Sequence, residues 1–105
     1  MDRLTFVFNE QKIQDDGLSK DAILQFARDY SKKNDIAESS YGVFEKDGED
    51  AMCMLTFIAV NILDEETGYI DYISKLELEV NGKKEDCVES QKRWLARHSK
   101  IGMRS

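Results

Sequence analysis

Apolar residues recur at helical spacing between residues 19 and 34. Ser19 precedes them and suits an N-cap, because its hydroxyl can accept a hydrogen bond from a free amide of the first helical turn. Asp21 lies in that turn, where the positive end of the helix dipole favours a carboxylate. The pattern predicts an amphipathic helix over about residues 19–34. Its apolar face would be formed at i, i+3, i+4 and i+7 by Ile23, Phe26, Ala27 and Tyr30. Leu24 would lie at the edge of this face.

The longest apolar run covers residues 51–63, with the sequence AMCMLTFIAVNIL. A run that is apolar at nearly every position is either a strand buried on both faces or a buried helix, and its periodicity does not separate the two. β-branched and aromatic residues in its second half, and turn signals at residues 47–48 and 67–68, favour the strand, whereas its first half suits a helix equally well. In the strand, one face would carry Met52, Met54, Ile58, Val60 and Ile62.

Alternation with a period of two predicts further strands. Residues 4–8 form the first, and a small hairpin would return the chain over residues 12–14. A connection at residues 36–40 leads to a short strand at residues 41–44. Residues 69–80 alternate throughout, which predicts a half-buried strand.

The Asn81-Gly82 pair that follows leaves two possibilities open. Because both residues tolerate the positive φ angles of a type I′ turn, the chain can enter a hairpin and one more strand. A second helix over residues 84–98 is favoured, because its first turn would be acidic and its last turn basic, as the helix dipole prefers.

The order β-α-β-β-β-α predicts one two-layer α+β domain over residues 1–105. An antiparallel sheet of three to four strands would carry two helices on one face, and residues 99–105 would be a frayed tail. If residues 51–63 are a strand, the helix-free face of the sheet carries an apolar centre. Such a patch is typical of an interaction surface, and its polar rim would be formed by Asp71, Lys75, Glu77 and Glu79.

The composition describes a soluble domain with an uneven charge. Of its 105 residues, 41% are hydrophobic and 34% are charged, and the net charge is −6. Residues 83–105 carry +4 and the rest of the chain −10. Such an acidic body repels nucleic acid and anionic membranes and favours basic partners. The apolar run is too short for a membrane span, so no membrane association is expected.

Cysteine usage and the N-terminal sequence predict the compartment. Cys53 and Cys87 lie apart in apolar surroundings, which favours buried free thiols and a reducing environment over a disulfide. The first residues, MDRLTFVF, include an acidic residue and no long apolar segment, so no signal peptide is predicted. We therefore expect a cytoplasmic protein.

Motifs for catalysis, metal binding and nucleotide binding are weak. His98 is the only histidine, and its spacing suggests no partner for nucleophilic catalysis. The acidic residues at 45–50 lack the ligand spacing of an EF-hand loop, and a strand over residues 51–63 would hold them more than about 30 Å from those at 64–66. The glycines form neither a dinucleotide-binding fingerprint nor a P-loop. We expect a non-enzymatic protein without a cofactor or bound metal.

Nucleic-acid binding through the basic C-terminal segment is one alternative. Beside Trp94, the candidate phosphate contacts are Lys83, Lys84, Arg93, Arg97 and Lys100. Over residues 19–98 the order helix, three strands, helix is similar in outline to a double-stranded-RNA-binding domain, which would place the two lysines on phosphates. The Gly-Pro-x-His loop of that family is missing, and the acidic sequence Gly48-Glu49-Asp50 stands there. In the competing interpretation Trp94 packs in the core and the basic residues lie on a solvated face.

Binding of a basic protein partner is the favoured function. Carboxylates would steer the partner, and the apolar centre of the exposed sheet face would anchor it. The predicted partner-binding residues are Asp47, Glu49, Asp50, Asp64, Glu65, Glu66, Glu77 and Glu79. Small acidic α+β proteins of this kind include toxin-neutralising immunity proteins and inhibitors of nucleic-acid enzymes. A structural homodimer joined by sheet faces is a further alternative.

Overall fold

The fold consists of five antiparallel strands and four α-helices. A computed structural model describes residues 1–104, except for the side chains of residue 95 and of residues from 98 onward. In chain order the elements are β1 (Asp2–Phe8), α1 (Glu10–Asp15), α2 (Lys20–Lys33), β2 (Ala37–Ser40), β3 (Val43–Lys46), α3 (Ala51–Ile62), a 3₁₀ turn (Tyr69–Tyr72), β4 (Ile73–Val80), β5 (Lys83–Asp86) and α4 (Cys87–Arg104). The predicted α+β class with an antiparallel sheet is confirmed. The described sheet has five strands rather than three to four, and four helices accompany it rather than two.

The central strand of the sheet is β1, and the strand order is β2-β3-β1-β4-β5. Leu4 of β1 pairs with Phe44 of β3 on one side and with Leu78 of β4 on the other. These residues and their neighbours Phe6 and Leu76 are buried in one cluster with the apolar residues of the helices. The core therefore lies between the helices and this inner face of the sheet.

A register shift changes which residues of β4 face the core. Val7 pairs with Lys75, but Phe8 pairs with Ile73, so Ser74 is an extra residue in the strand. Strict alternation over residues 69–80 predicts Ile73 on the polar face. The irregularity turns this side chain inward, where it is buried.

The helix predicted over residues 19–34 is confirmed as α2. Ser19 is its N-cap, and its Oγ accepts a hydrogen bond from Ala22 N (3.4 Å). Leu24 and Ala27 are fully buried, whereas Phe26 is 39% exposed. The buried side of the helix is therefore centred nearer to Leu24 than predicted, and Phe26 lies at its edge.

The prediction of a strand over residues 51–63 is wrong, because this run forms the helix α3. Its buried residues follow helical spacing and are Ala51, Leu55, Ile58, Ala59 and Ile62. A strand that is apolar on both faces needs a packed layer on each side of the sheet. Here the outer face of the sheet carries charged side chains, so the run is better buried as a helix packed on the inner face. Alanine, leucine and methionine in its first half are also strong helix formers.

Two short segments also differ from the predictions. Residues 10–15 form α1 instead of the returning strand of a hairpin, and Asn9 Oδ1 caps this helix by accepting a hydrogen bond from Lys12 N (3.2 Å). Residues 37–40 form the edge strand β2 instead of a connection. Because residues 51–63 are not a strand, the outline that is similar to a double-stranded-RNA-binding domain does not hold.

Both possibilities after Asn81-Gly82 are realised in part. Asn81 (φ 52°) and Gly82 (φ 78°) turn the chain into β5, and α4 then begins at Cys87. The backbone of α4 continues to Arg104, and the predicted fraying of residues 99–105 stays a prediction. Among the described residues, none of the helices has the length and apolar character that crossing a membrane requires.

Candidate functional site

The outer face of the sheet is charged and does not carry the predicted apolar centre, because α3 lies on the inner face. Arg3 Nη1 lies 3.8 Å from Glu79 Oε1. Glu77 lies 3.1 Å from the Lys75 ammonium and 3.8 Å from that of Lys84. The hydrogen bond from Lys75 holds the pKa of Glu77 below its ordinary value. Since these carboxylates already have cationic neighbours, they are less available to a basic partner.

The other six predicted carboxylates lie at the two ends of α3. The N-terminal acid cluster precedes the helix and consists of Asp47, Glu49 and Asp50. The C-terminal acid cluster follows the helix and consists of Asp64, Glu65 and Glu66. A helix of 12 residues spans about 18 Å, which is much less than a strand of this run would span. The structure therefore places the two clusters nearer to each other than predicted. It separates both from Glu77 and Glu79, which lie on the outer face of the sheet.

The solvent-facing side of α3 is uncharged and mostly apolar, and Thr56 is its exposed polar residue. Its exposed apolar residues are Met52 (48% exposed), Cys53, Phe57 (47%) and Val60 (54%), and they are called the exposed side of α3 below. The helix contains no charged residue, although 34% of the residues in the chain are charged. A contiguous apolar surface with a polar rim is typical of a protein-binding site.

An aromatic cluster continues the exposed side of α3 onto α2. The ring centroid of Phe57 lies 4.9 Å from that of Tyr30 and 6.0 Å from that of Phe26. These separations are within the range of favourable aromatic contacts. Because these contacts hold the Phe57 ring, the apolar surface is pre-organised across both helices.

A groove of about 650 Å³ lies between α3 and α4. Besides three carboxylates, its lining residues are Thr56, Ala59, Val60, Leu63, Leu78, Cys87, Ser90, Gln91 and Trp94. Trp94 is 50% exposed here, so it is not packed in the core. The volume of this α3–α4 groove falls in the usual range for ligand pockets.

Three carboxylates line the α3–α4 groove, and the described part of its lining contains no lysine or arginine. Asp64 and Glu65 belong to the C-terminal acid cluster, and Glu85 comes from β5, where it pairs with Leu78 of β4. Ser90 Oγ donates a hydrogen bond to Glu85 Oε1 (3.0 Å) and orients that carboxylate. The C-terminus of α3 adds the negative end of its helix dipole. The groove therefore suits an apolar group that carries a positive charge.

The lysines and arginines of the alternative nucleic-acid site are divided between two elements. Lys83 and Lys84 lie in the edge strand β5 and not at the start of the last helix. Arg93 and Arg97 are exposed on α4, and the side chain of Lys100 lies outside the described residues. The two lysines therefore do not belong to the phosphate-contacting helix that the sequence suggested.

The two free cysteines differ in exposure, which corrects the prediction that both are buried. Cys53 is exposed on α3, whereas Cys87 is partly buried beside the groove. Burial raises the pKa of the Cys87 thiol to about 11, and the charges of Glu85 and Asp86 add to the shift.

We expect iodoacetamide at neutral pH to alkylate Cys53 at least about tenfold faster than Cys87, because the thiolate is the reactive form and only Cys53 is well exposed. Mass spectrometry of the protein over the course of the reaction measures both rates. Equal rates would contradict the outward position of Cys53 on α3.

Metal-ligating side chains do not converge in the described part of the chain, where no three His, Cys, Asp or Glu residues form a group that could hold an ion. The two acid clusters lie at opposite ends of α3. A nucleophilic mechanism would depend on His98, whose side chain lies outside the described residues.

The predictions from sequence missed the exposed side of α3 and the position of Trp94. A strand would have placed Val60 beside the buried Ile58 and Phe57 on the opposite face. Comparison of the chain with known protein families, with curated proteins and with solved structures finds no match. The functional conclusion therefore rests on the geometry of this surface.

Proposed function

We propose that this protein is a non-enzymatic binding module whose partner is a basic protein. The observation that carries the proposal is the exposed side of α3, where Met52, Phe57 and Val60 are each about half exposed on an uncharged helix. Burial of apolar surface contributes about 25 cal/mol per Å². A partner that covers this surface is stabilised by that burial, so this surface is the natural centre of the interface.

The charge at both ends of α3 indicates the kind of partner. All six residues of the N-terminal and C-terminal acid clusters are exposed. Exposed carboxylates around an apolar centre accelerate the encounter with a basic surface and disfavour an acidic one. The net charge of −6 acts in the same direction.

An inhibitor or immunity-type role is the specific form that we propose for this binding. An enzyme that acts on nucleic acid has a basic surface where phosphates bind. The acid clusters would occupy the phosphate positions, and the exposed side of α3 would anchor the complex. The free thiols Cys53 and Cys87 fit a cytoplasmic setting for this role.

Affinity capture from the native host with matched variants tests the apolar half of the proposal. The baits are the wild type, Val60→Ser and Val7→Ser; the last removes a valine of similar exposure from the outer face of the sheet (45% against 54%). We expect the wild type and Val7→Ser to retain one basic protein at equal stoichiometry. Val60→Ser should bind it about tenfold more weakly, because a central apolar contact is lost.

Charge reversal tests the electrostatic half on the captured pair. Replacing the C-terminal acid cluster (Asp64, Glu65 and Glu66) with lysines should slow association and flatten its salt dependence, because steering acts mainly on the association rate. The control makes the same change in net charge at exposed carboxylates elsewhere, which are Asp15, Asp29 and Asp71.

Three outcomes would overturn the proposal. If Val60→Ser captures the partner as well as the wild type does, α3 is not part of the interface. Material that is lost on nuclease treatment of the lysate would instead indicate nucleic acid bound through residues such as Arg93 and Arg97. Sedimentation of the pure protein as a stable dimer that Val60→Ser dissociates would indicate a homodimer joined through α3 and not through the sheet faces.

A further inference from the structure

We propose that the α3–α4 groove receives an amphipathic helix of the partner, with lysine or arginine beside its apolar anchors, an inference that rests on the proposed function. The groove lies between two helices, and its floor includes the buried residues Ala59, Leu63 and Leu78. A helix packs into such a groove by inserting a row of side chains at i, i+3, i+4 and i+7. A helix therefore fits the shape of the site.

The dimensions of the surface favour a helix over a small molecule. The uncharged side of α3 extends over 12 residues, about 18 Å, which matches about three turns of a second helix. A small molecule in the groove would contact only part of this length. A helix that lies in the groove along α3 covers Val60 and packs against Trp94.

The charges of the groove determine which helix is accepted. Asp64, Glu65 and Glu85 line it, and its described lining contains no lysine or arginine. A described cation near these carboxylates is Arg93, whose Nη2 lies 3.5 Å from Ser90 Oγ, the hydroxyl that donates to Glu85. A partner helix that covered these carboxylates without supplying cations would bury unpaired charge at a large cost. Lysine or arginine next to the anchors pairs with them instead, so the groove selects basic amphipathic helices over neutral or acidic ones.

The single tryptophan of the chain provides a direct measurement. Trp94 lines the groove and is 50% exposed. A helix that packs in the groove will remove water from this indole, and its emission will then move to shorter wavelength. Emission of the full chain therefore reports occupancy of the groove without a label.

In the test, the full chain is titrated with a synthetic peptide of about 18 residues. Leucines recur along the peptide at i, i+3, i+4 and i+7, and lysine occupies the other positions. We expect a blue shift of the emission that saturates at one peptide per chain. The same peptide with glutamate in place of lysine should bind at least about tenfold more weakly. A peptide of the same composition in scrambled order should also bind at least about tenfold more weakly, because its leucines no longer share one face.

Variants of the protein place the peptide in the groove. The double variant Glu65→Gln, Glu85→Gln should bind the lysine peptide about tenfold more weakly than the wild type does. The ratio of its affinities for the lysine and glutamate peptides should also be smaller than that of the wild type. Val60→Ser should also weaken binding, whereas Val7→Ser should not. Circular dichroism of each variant checks that the fold is retained.

The failure of this inference is distinguishable from that of the proposed function. Equal binding of the lysine and glutamate peptides would overturn the charge selection. Binding of the lysine peptide that is indifferent to Val60→Ser, or that leaves the Trp94 emission unchanged, would overturn the groove as its site. If capture of a basic protein still depends on Val60, the proposed function stands without a helix in the groove; if capture is also indifferent to Val60, both fail.

Discussion

Replacing Ile58 with alanine is expected to lower the free energy of unfolding by about 2–5 kcal/mol, whereas replacing Val60 with alanine should change it by less than about 0.5 kcal/mol. Ile58 is fully buried on the inner side of α3, and Val60, two residues later, is 54% exposed. Truncating Ile58 leaves a cavity in a close-packed core, whereas Val60 already contacts water. Urea unfolding followed by circular dichroism measures both changes.

This pair of variants also distinguishes a helix from a strand at residues 51–63. In a strand, positions 58 and 60 point to the same face and would be buried or exposed together. In α3 they lie on different sides of the helix. Comparable losses for the two variants would therefore contradict α3. A second pair is Leu55→Ala, at a fully buried position, and Phe57→Ala, at a position 47% exposed, for which the larger loss is expected at Leu55.

The elements with a regular hydrophobic period were predictable, and the uniform run at residues 51–63 was not. Period 3.6 located α2, and period two located β1 and β4, although residues 69–72 of the predicted strand form a 3₁₀ turn. Residues 51–63 carry no usable period because α3 is mostly apolar on its exposed side as well as on its buried side. The surface that we propose for binding is thus the physical cause of the wrong prediction. The length of the run was the remaining signal, since strands usually span about 4–8 residues.

The acidic character of the site was visible in the sequence, but the arrangement of its carboxylates was not. Glu77 and Glu79 alternate outward in β4 as predicted, yet Arg3 of β1 lies beside Glu79 because β1 is the neighbouring strand. Strand order is not contained in the local pattern. The α3–α4 groove likewise depends on how α4 leaves β5, and α4 buries Val88 while Trp94 stays half exposed. Such features arise from packing between distant segments.

Replacing Glu38 with glutamine is expected to lower the free energy of unfolding at neutral pH by roughly 1–2 kcal/mol, because a charge-assisted pair is lost. Arg28 Nε and Nη2 of α2 donate to the two carboxylate oxygens of Glu38, at 2.9 and 3.2 Å. Gly42 N donates a further hydrogen bond of 2.9 Å to Glu38 Oε2. These contacts join α2 to the edge of the sheet at β2. Urea unfolding over a range of pH measures the effect.

The effect of Glu38→Gln should depend on pH in a defined direction. The hydrogen bond from Arg28 holds the pKa of Glu38 below its ordinary value of 4.5, and the Gly42 amide acts in the same direction, whereas burial opposes them. Because the folded state binds this proton less readily than the unfolded state, the stabilisation is complete above about pH 4.5 and is lost as the pH falls through the folded pKa. The difference in stability between the wild type and Glu38→Gln should therefore shrink toward zero on acidification.

Glu10→Gln is the matched control for Glu38→Gln. Glu10 pairs with Lys20 Nζ at 2.5 Å, but its side chain is 72% exposed, whereas that of Glu38 is 23% exposed. Solvent screening weakens an exposed pair, so the urea midpoint at neutral pH should move much less for Glu10→Gln than for Glu38→Gln. Equal shifts for the two variants would contradict the larger effect expected of the less exposed pair, and a deficit of Glu38→Gln that does not change with pH would show that it does not come from the ionised Arg28–Glu38 pair. A deficit that disappears in acid only for Glu38→Gln would assign the stabilisation to this one partly buried pair.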